Sequence, residues 1–153
     1  MSLSDDIRNL SRIPLFAELE PEALKLIAFA GETRILRAGD VLFHRGEASD
    51  CGYIVLTGSI ALDAAGDGSP AVQIVGPNAL IGEIALISQT ERPATALARE
   101  PSTVLKVSRA LFHRVLKEFP LSANRLRTAI QARLVGFTQE LEELRRRSIE
   151  PLA

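Results

Sequence analysis

The sequence predicts a mainly β protein with flanking helices. Three observations carry that prediction. The apolar spacing is helical up to about residue 31, alternates with a period of two from about 32 to 107, and is helical again from about 108. Glycine turns cut the middle region into short strands, the pattern of an antiparallel barrel or a jelly roll. Turn composition alone does not choose between those two. The 153 residues, 46% of them apolar, suit one domain with its own core and are too few for two ordinary ones.

At the N-terminal end, PEALKLIAFAG reads as a helix: Pro21 suits its first position and Gly31 its stop. Leu24, Ile27 and Ala28 fall on one face of it, and Leu15, Phe16 and Leu19 ahead of it read as core anchors. The runs RILR, VLFH, YIVL, SIALDA and AVQIV then read as strands. They are broken by turns at 38–40 (AGD), 45–47 (RGE), 57–59 (TGS) and 64–70 (AAGDGSP). Ser108 is placed to cap a helix over RALFHRVLKEF, and Phe119-Pro120 breaks the chain direction after it.

A longer helix is predicted from Leu121 to Arg147. Its apolar positions are Leu126, Ile130, Leu134, Phe137, Leu141 and Leu144, a coiled-coil-like seam. Glu142 and Glu143 precede Arg146 and Arg147 by four residues, the favourable order for helical ion pairs. Such a seam either packs on its own barrel or joins two copies. About three heptads is long for one small barrel to cover, so a homodimer through Ile130, Phe137 and Leu141 is the preferred expectation. Arg145, Arg146 and Arg147 read as a solvated helix end favoured by the helix dipole.

Composition excludes several classes of function. With 18 Lys+Arg against 19 Asp+Glu the net charge is -1, a poor basis for binding nucleic acid by bulk charge. The single cysteine, Cys51, excludes an internal disulfide and a zinc site of several thiolates. It reads as a tolerated thiol in a turn-like segment. His44 and His113 are lone histidines in different elements, not the cluster a cupin-type metal site needs. No apolar run nears the roughly 20 residues of a membrane helix, and MSLSDDIRNLSR is too acidic for a signal peptide. A cytoplasmic protein is expected. No paired carboxylates and no Ser/His/Asp or Cys/His set stand out, so enzyme activity is not expected.

The segment 80–99, LIGEIALISQTERPATALAR, carries the chemistry. Gly82 opens a short apolar helical turn, Ile84-Ala85-Leu86-Ile87, and a glycine there lets backbone approach a ligand. The first N–H groups of a helix favour an anion. Arg92 follows ten residues later, before the apolar run ATALA, and its fork matches two phosphate oxygens. Glu83 would repel a phosphate, so it needs another task, such as accepting a ribose hydroxyl or bracing Arg92 as an ion pair.

Here the sequence resembles the cyclic nucleotide-binding domain family, the sensor half of catabolite-activator-type regulators. The family's phosphate-binding cassette reads about G-E-x-A-L, then R-x-A-T. This chain has Gly82-Glu83-Ile84-Ala85-Leu86 and Arg92-Pro93-Ala94-Thr95. RAGDVLFHRGEASDCGYIVLTGSIAL at 37–62 is similar to the family's first barrel strands, and IPLFAELEPEALKLIA at 13–28 to its entry helix. The resemblance implies a double-stranded β-helix, or jelly roll, over residues 1–120 and a dimerisation or lever helix over 121–153. It implies that Arg92 holds the phosphate of cAMP or cGMP, Glu83 takes the ribose 2′-hydroxyl, and Gly82, Ile84 and Ala85 offer backbone contacts, with Pro93 and Ala94 beside the phosphate. Gln73 and Val75 would line the purine pocket, and Phe137 and Thr138 of the last helix would reach the base. No cofactor is implied.

Pro93 departs from the pattern. Family members that bind tightly often carry Ala, Ser or Thr there, whereas proline brings neither an N–H nor a hydroxyl. The lost hydrogen bond corresponds to about 1.5–3 kcal/mol, roughly ten- to hundredfold in affinity. A threonine at this position favours guanine in the family, so proline leans towards cAMP. The resemblance therefore implies a cAMP-leaning sensor that acts on an effector protein through its last helix. The alternative is a degenerate member serving as a dimerisation or interaction module, with Pro93 as its motive. About six residues follow Arg147, too few for a DNA-reading module, so the chain is expected to be a stand-alone sensor or a fragment of a longer regulator.

Overall fold

The computed structural model describes residues 3–65 and 72–149, the side chains of 3–6, 72, 133–138 and 147–149 excepted. The chain begins with two helices, α1 (Leu3–Ser11) and α2 (Pro21–Ala30). Pro21 lies in the first turn of α2, and Gly31 caps its end with an extended backbone. Gly31 is required for space: a Cβ there would come within 2.7 Å of the Leu105 side chain. The strands that follow are β1 (Glu32–Leu36), β2 (Val41–Phe43), β3 (Ala48–Ser49), β4 (Cys51–Thr57), β5 (Ile60–Asp63), β6 (Val72–Val75) and β7 (Leu80–Ile81). After helix α3 (Glu83–Ile87) come β8 (Thr90–Glu91), β9 (Thr95–Ala98) and β10 (Ser102–Ser108), and then α4 (Arg109–Glu118) and α5 (Pro120–Ile149).

Among the described residues all strand pairs are antiparallel. One sheet runs β1-β10-β4-β7, the other β2-β9-β5-β6, and β3 pairs with β8 beside them. This is the jelly roll with flanking helices that the resemblance implies. Between the sheets lie Phe43, Tyr53, Val55, Ile60, Ile81, Ala96, Ala98 and Val104. A second core forms where the helices cover the outer face of the first sheet, around Phe16, Ile27, Ile54, Leu105, Phe112 and Val115. β4 is thus covered on both sides: Tyr53 and Val55 face one core and Ile54 the other. Its run is accordingly almost continuously apolar.

The anchors ahead of α2 are in place: Leu15, Phe16 and Leu19 are buried, and Phe16 stacks on Phe112 of α4 at 6.0 Å. Ser108 caps α4, its hydroxyl accepting from the Leu111 amide at 3.0 Å. Phe119 ends that helix and Pro120 starts the next. The first turns of α5 dock on the body through Ser122 and Leu126, and the Ser122 hydroxyl accepts from the Glu20 amide at 2.9 Å. Ile130, expected in the dimer seam, packs partly against the protein's own core. Leu141 and Leu144 further along are 50% and 59% exposed. Among the described residues the beginning of the helix thus packs on the protein's own helical layer, and Leu141 and Leu144 near its end stay at least half exposed.

Candidate functional site

The site begins with Gly82, between β7 and α3. Its φ of 79° and ψ of 36° are left-handed, a region a side chain disfavours. Space demands glycine as well, because a Cβ would collide with Nη1 of Arg92. The glycine thus gives the chain its turn into α3 and lets the guanidinium lie against backbone. Within α3, Ala85 and Leu86 face the core, and Ile84 and Ile87 face out. Both polar backbone groups of Ala85 have protein partners: its N–H donates to the Gly82 carbonyl at 3.1 Å, and its carbonyl accepts from Arg109 Nε at 2.7 Å.

Arg92 follows β8 and is only 5% exposed. Its backbone is fixed from the β3 side, with its N–H donating to the Glu47 carbonyl at 2.8 Å and its carbonyl accepting from the Gly46 amide at 2.9 Å. Nη2 donates to the Cys51 carbonyl at 2.8 Å and meets its thiol sulfur at 3.2 Å. The Phe43 ring lies under the guanidinium, 4.2 Å from centroid to Cζ, and Tyr53 is next at 5.7 Å. Nη1 is buried and has no hydrogen-bond partner. A buried charge with an unmade hydrogen bond is costly, and an anion at Nη1 relieves that cost. The neighbouring Tyr53 hydroxyl is pushed up to about 12, first by burial and then by its hydrogen bond to Cys51.

Two adjoining cavities open at Arg92, sharing Leu80, Gly82, Arg92 and Pro93. One, about 360 Å³, has Glu83, Ile84, Ala85 and Ser49 in its wall. The other, about 220 Å³, has Phe43, Leu62, Gln73, Val75 and Ala94. Together they reach the size of a small-molecule site. One is flanked by the acid and the cassette backbone, the other is largely apolar with one carboxamide. The fold therefore brings Gly82, Glu83, Ile84, Ala85, Arg92, Pro93, Ala94, Gln73 and Val75 to one cleft. Among the described residues none of α5 lines it; the backbone of Phe137 and Thr138 is in that helix, and their side chains lie outside the described residues. Thr95 is a strand residue whose hydroxyl accepts from the Arg45 amide at 2.9 Å.

The pattern of the cyclic nucleotide-binding domain family matches residues 33–119, the jelly roll and this cleft. The chain belongs to that family. The domain is 32% identical to the N-terminal domain of a transcriptional regulator from Streptomyces coelicolor, with a TM-score of 0.78 over 86% of this chain and 95% of that one. It is 45% identical to a cyclic nucleotide-binding-like protein from Brucella abortus, with a TM-score of 0.68 over 74% of this chain and 98% of that one. It is also 29% identical to the cyclic AMP receptor protein of Thermus thermophilus over 86% of its own length. The chain spans 62% of that protein, less than two thirds of the curated relative.

Three contributors to the domain's site are not found by reading the sequence. Phe43 and Cys51 hold Arg92, and Cys51 is a buried strand residue in contact with the guanidinium, not a bystander in a turn. Arg109, the first residue of α4, donates to three carbonyls around the cassette. Its one sequence signal is a cation in the first turn of a helix, where the dipole disfavours it. Among the described residues no group of three or more His, Cys, Asp or Glu is placed to hold a metal ion, and no helix is long and apolar enough to cross a membrane.

Proposed function

We propose that this domain is a non-enzymatic cytoplasmic sensor of a cyclic purine mononucleotide, cAMP in preference to cGMP, and that it signals through α5. The observation that carries this reading is the guanidinium of Arg92: nearly enclosed, braced on one side by Phe43 and Cys51, and with Nη1 unmatched at the junction of two cavities. A cyclic phosphodiester supplies the missing anion. Glu83, in the wall of the larger cavity, is assigned the ribose hydroxyl. Phe43, Leu62, Val75 and Gln73 around the smaller cavity supply an apolar wall and one hydrogen-bonding group for the base. Pro93 gives no N–H or hydroxyl to the ligand, which favours adenine and moderates affinity.

Signalling in this reading is a population shift. Nucleotide favours the arrangement in which the cassette and the last helix both contact it, with Phe137 and Thr138 reaching the base. Residues 1–120 are the sensing unit, and 121–153 carry the output to a second copy and to an effector protein. The test is calorimetric titration with cAMP and cGMP. Saturable micromolar binding of cAMP, weaker for cGMP and lost in Arg92→Ala, is expected. A folded protein that gives no heat with either nucleotide instead supports a dimerisation or interaction module.

A further inference from the structure

Arg109 stands in an electrostatically adverse place. It is the first residue of α4, where the positive end of the helix dipole disfavours a cation. Its own amide donates to the Asp50 carbonyl at 2.7 Å. Its guanidinium turns away from α4 towards the cassette. Nε donates to the Ala85 carbonyl at 2.7 Å, and Nη2 donates to Ser49 at 2.6 Å and Ser88 at 3.2 Å. Ala85 and Ser88 lie in and just after α3, where helix carbonyls have lost their intrahelical partners. Ser49 ends β3.

The Ser49 grip reaches Arg92. The buried Ser49 hydroxyl donates to the Thr90 carbonyl at 2.7 Å, and the Arg92 amide donates to Glu47 at 2.8 Å. Residues 47–49 and 90–92 are thus laced together at both ends. One planar fork on α4 therefore holds both halves of the anion site, the α3 half that presents Gly82 and the β3–β8 half that presents Arg92.

We propose that Arg109 is a positioning residue for the anion site, fixing the distance between its two halves from the first turn of α4. It does not touch the ligand; it sets where Gly82 and Arg92 stand before the ligand arrives. Three acceptors at fixed angles suit a guanidinium and not an ammonium. Lysine keeps the charge but not the fork, so it should restore only part of the function, and the uncharged, shorter methionine none.

The experiment compares wild type, Arg109→Lys and Arg109→Met by amide hydrogen exchange without ligand and by titration with cAMP. In Arg109→Met, exchange should quicken about tenfold or more at residues 84–88 and 47–51 and little elsewhere, with Arg109→Lys between. A rise spread evenly over the chain, or none at those residues, overturns the proposal. The affinity arm rests on the cyclic-nucleotide reading above: cAMP binding should weaken roughly tenfold in Arg109→Met, with partial rescue by Arg109→Lys. Unchanged affinity overturns it. Should wild type itself take up no cAMP, that reading fails, and the exchange pattern decides the role of Arg109 alone. If Arg109→Met does not fold, the same comparison between wild type and Arg109→Lys decides.

Discussion

At Pro93 a single missing hydrogen atom is expected to set the affinity of the site. The residue lies in the wall of both cavities, directly after Arg92. If a phosphate seated at Nη1 would otherwise have used the amide at this position, Pro93→Ala restores a donor and should tighten cAMP binding roughly tenfold or more. Titration of the variant beside wild type reads this directly; equal affinities mean the phosphate makes no use of that amide. The residue scale is also where reading the sequence fell short. Gly82, Glu83 and Arg92 were legible because they sit within one short segment whose pattern states its chemistry. Cys51 was not: it meets Arg92 across 41 residues of chain, and a contact between strands leaves no spacing to read.

Among the elements, the ends were more legible than the interiors. Capping is local chemistry, so Pro21, Gly31, Ser108 and Pro120 each marked a boundary that the fold keeps. The two-residue strands β3, β7 and β8 left little trace, because two residues cannot show a period. The strand β10 is hard to read for a different reason: it is covered on both faces, with Val104 turned to one core and Leu105 and Val107 to the other, so apolar residues do not simply alternate with polar ones. At this scale the Ser108 cap is the most testable contact. It satisfies one free amide of α4, the helix whose Phe112 and Val115 fill the outer core. Ser108→Ala should lower stability by about 1 kcal/mol in chemical denaturation, with an unchanged slope. A loss near zero would mean water replaces the hydroxyl at no cost.

For the molecule as a whole, the telling feature is how far the last helix runs beyond its docked turns. Thirty residues of α-helix extend about 45 Å. Among the described residues its burial against the body is concentrated near the start, at Ser122 and Leu126, with Ile130 partly covered. The apolar rhythm nevertheless continues through Leu134 and Phe137 to Leu141 and Leu144, and the last two are at least half exposed. Half-exposed leucines continuing a heptad rhythm are what a second copy of the same helix would cover. A symmetric pairing through this stretch is therefore the homodimer we propose, and under the proposed function it would give α5 a rigid partner to act against. Sedimentation at micromolar concentration should give twice the 16.6 kDa chain mass. Leu141→Asp with Leu144→Asp should return it to the monomer, because each charge would have to leave water at the seam. Those positions lie far along the helix from the docked turns at Ser122 and Leu126, so the thermal stability of the barrel should hold. A wild-type monomer under these conditions would leave the distal leucines without a role and would count against the dimer as the output of the sensor.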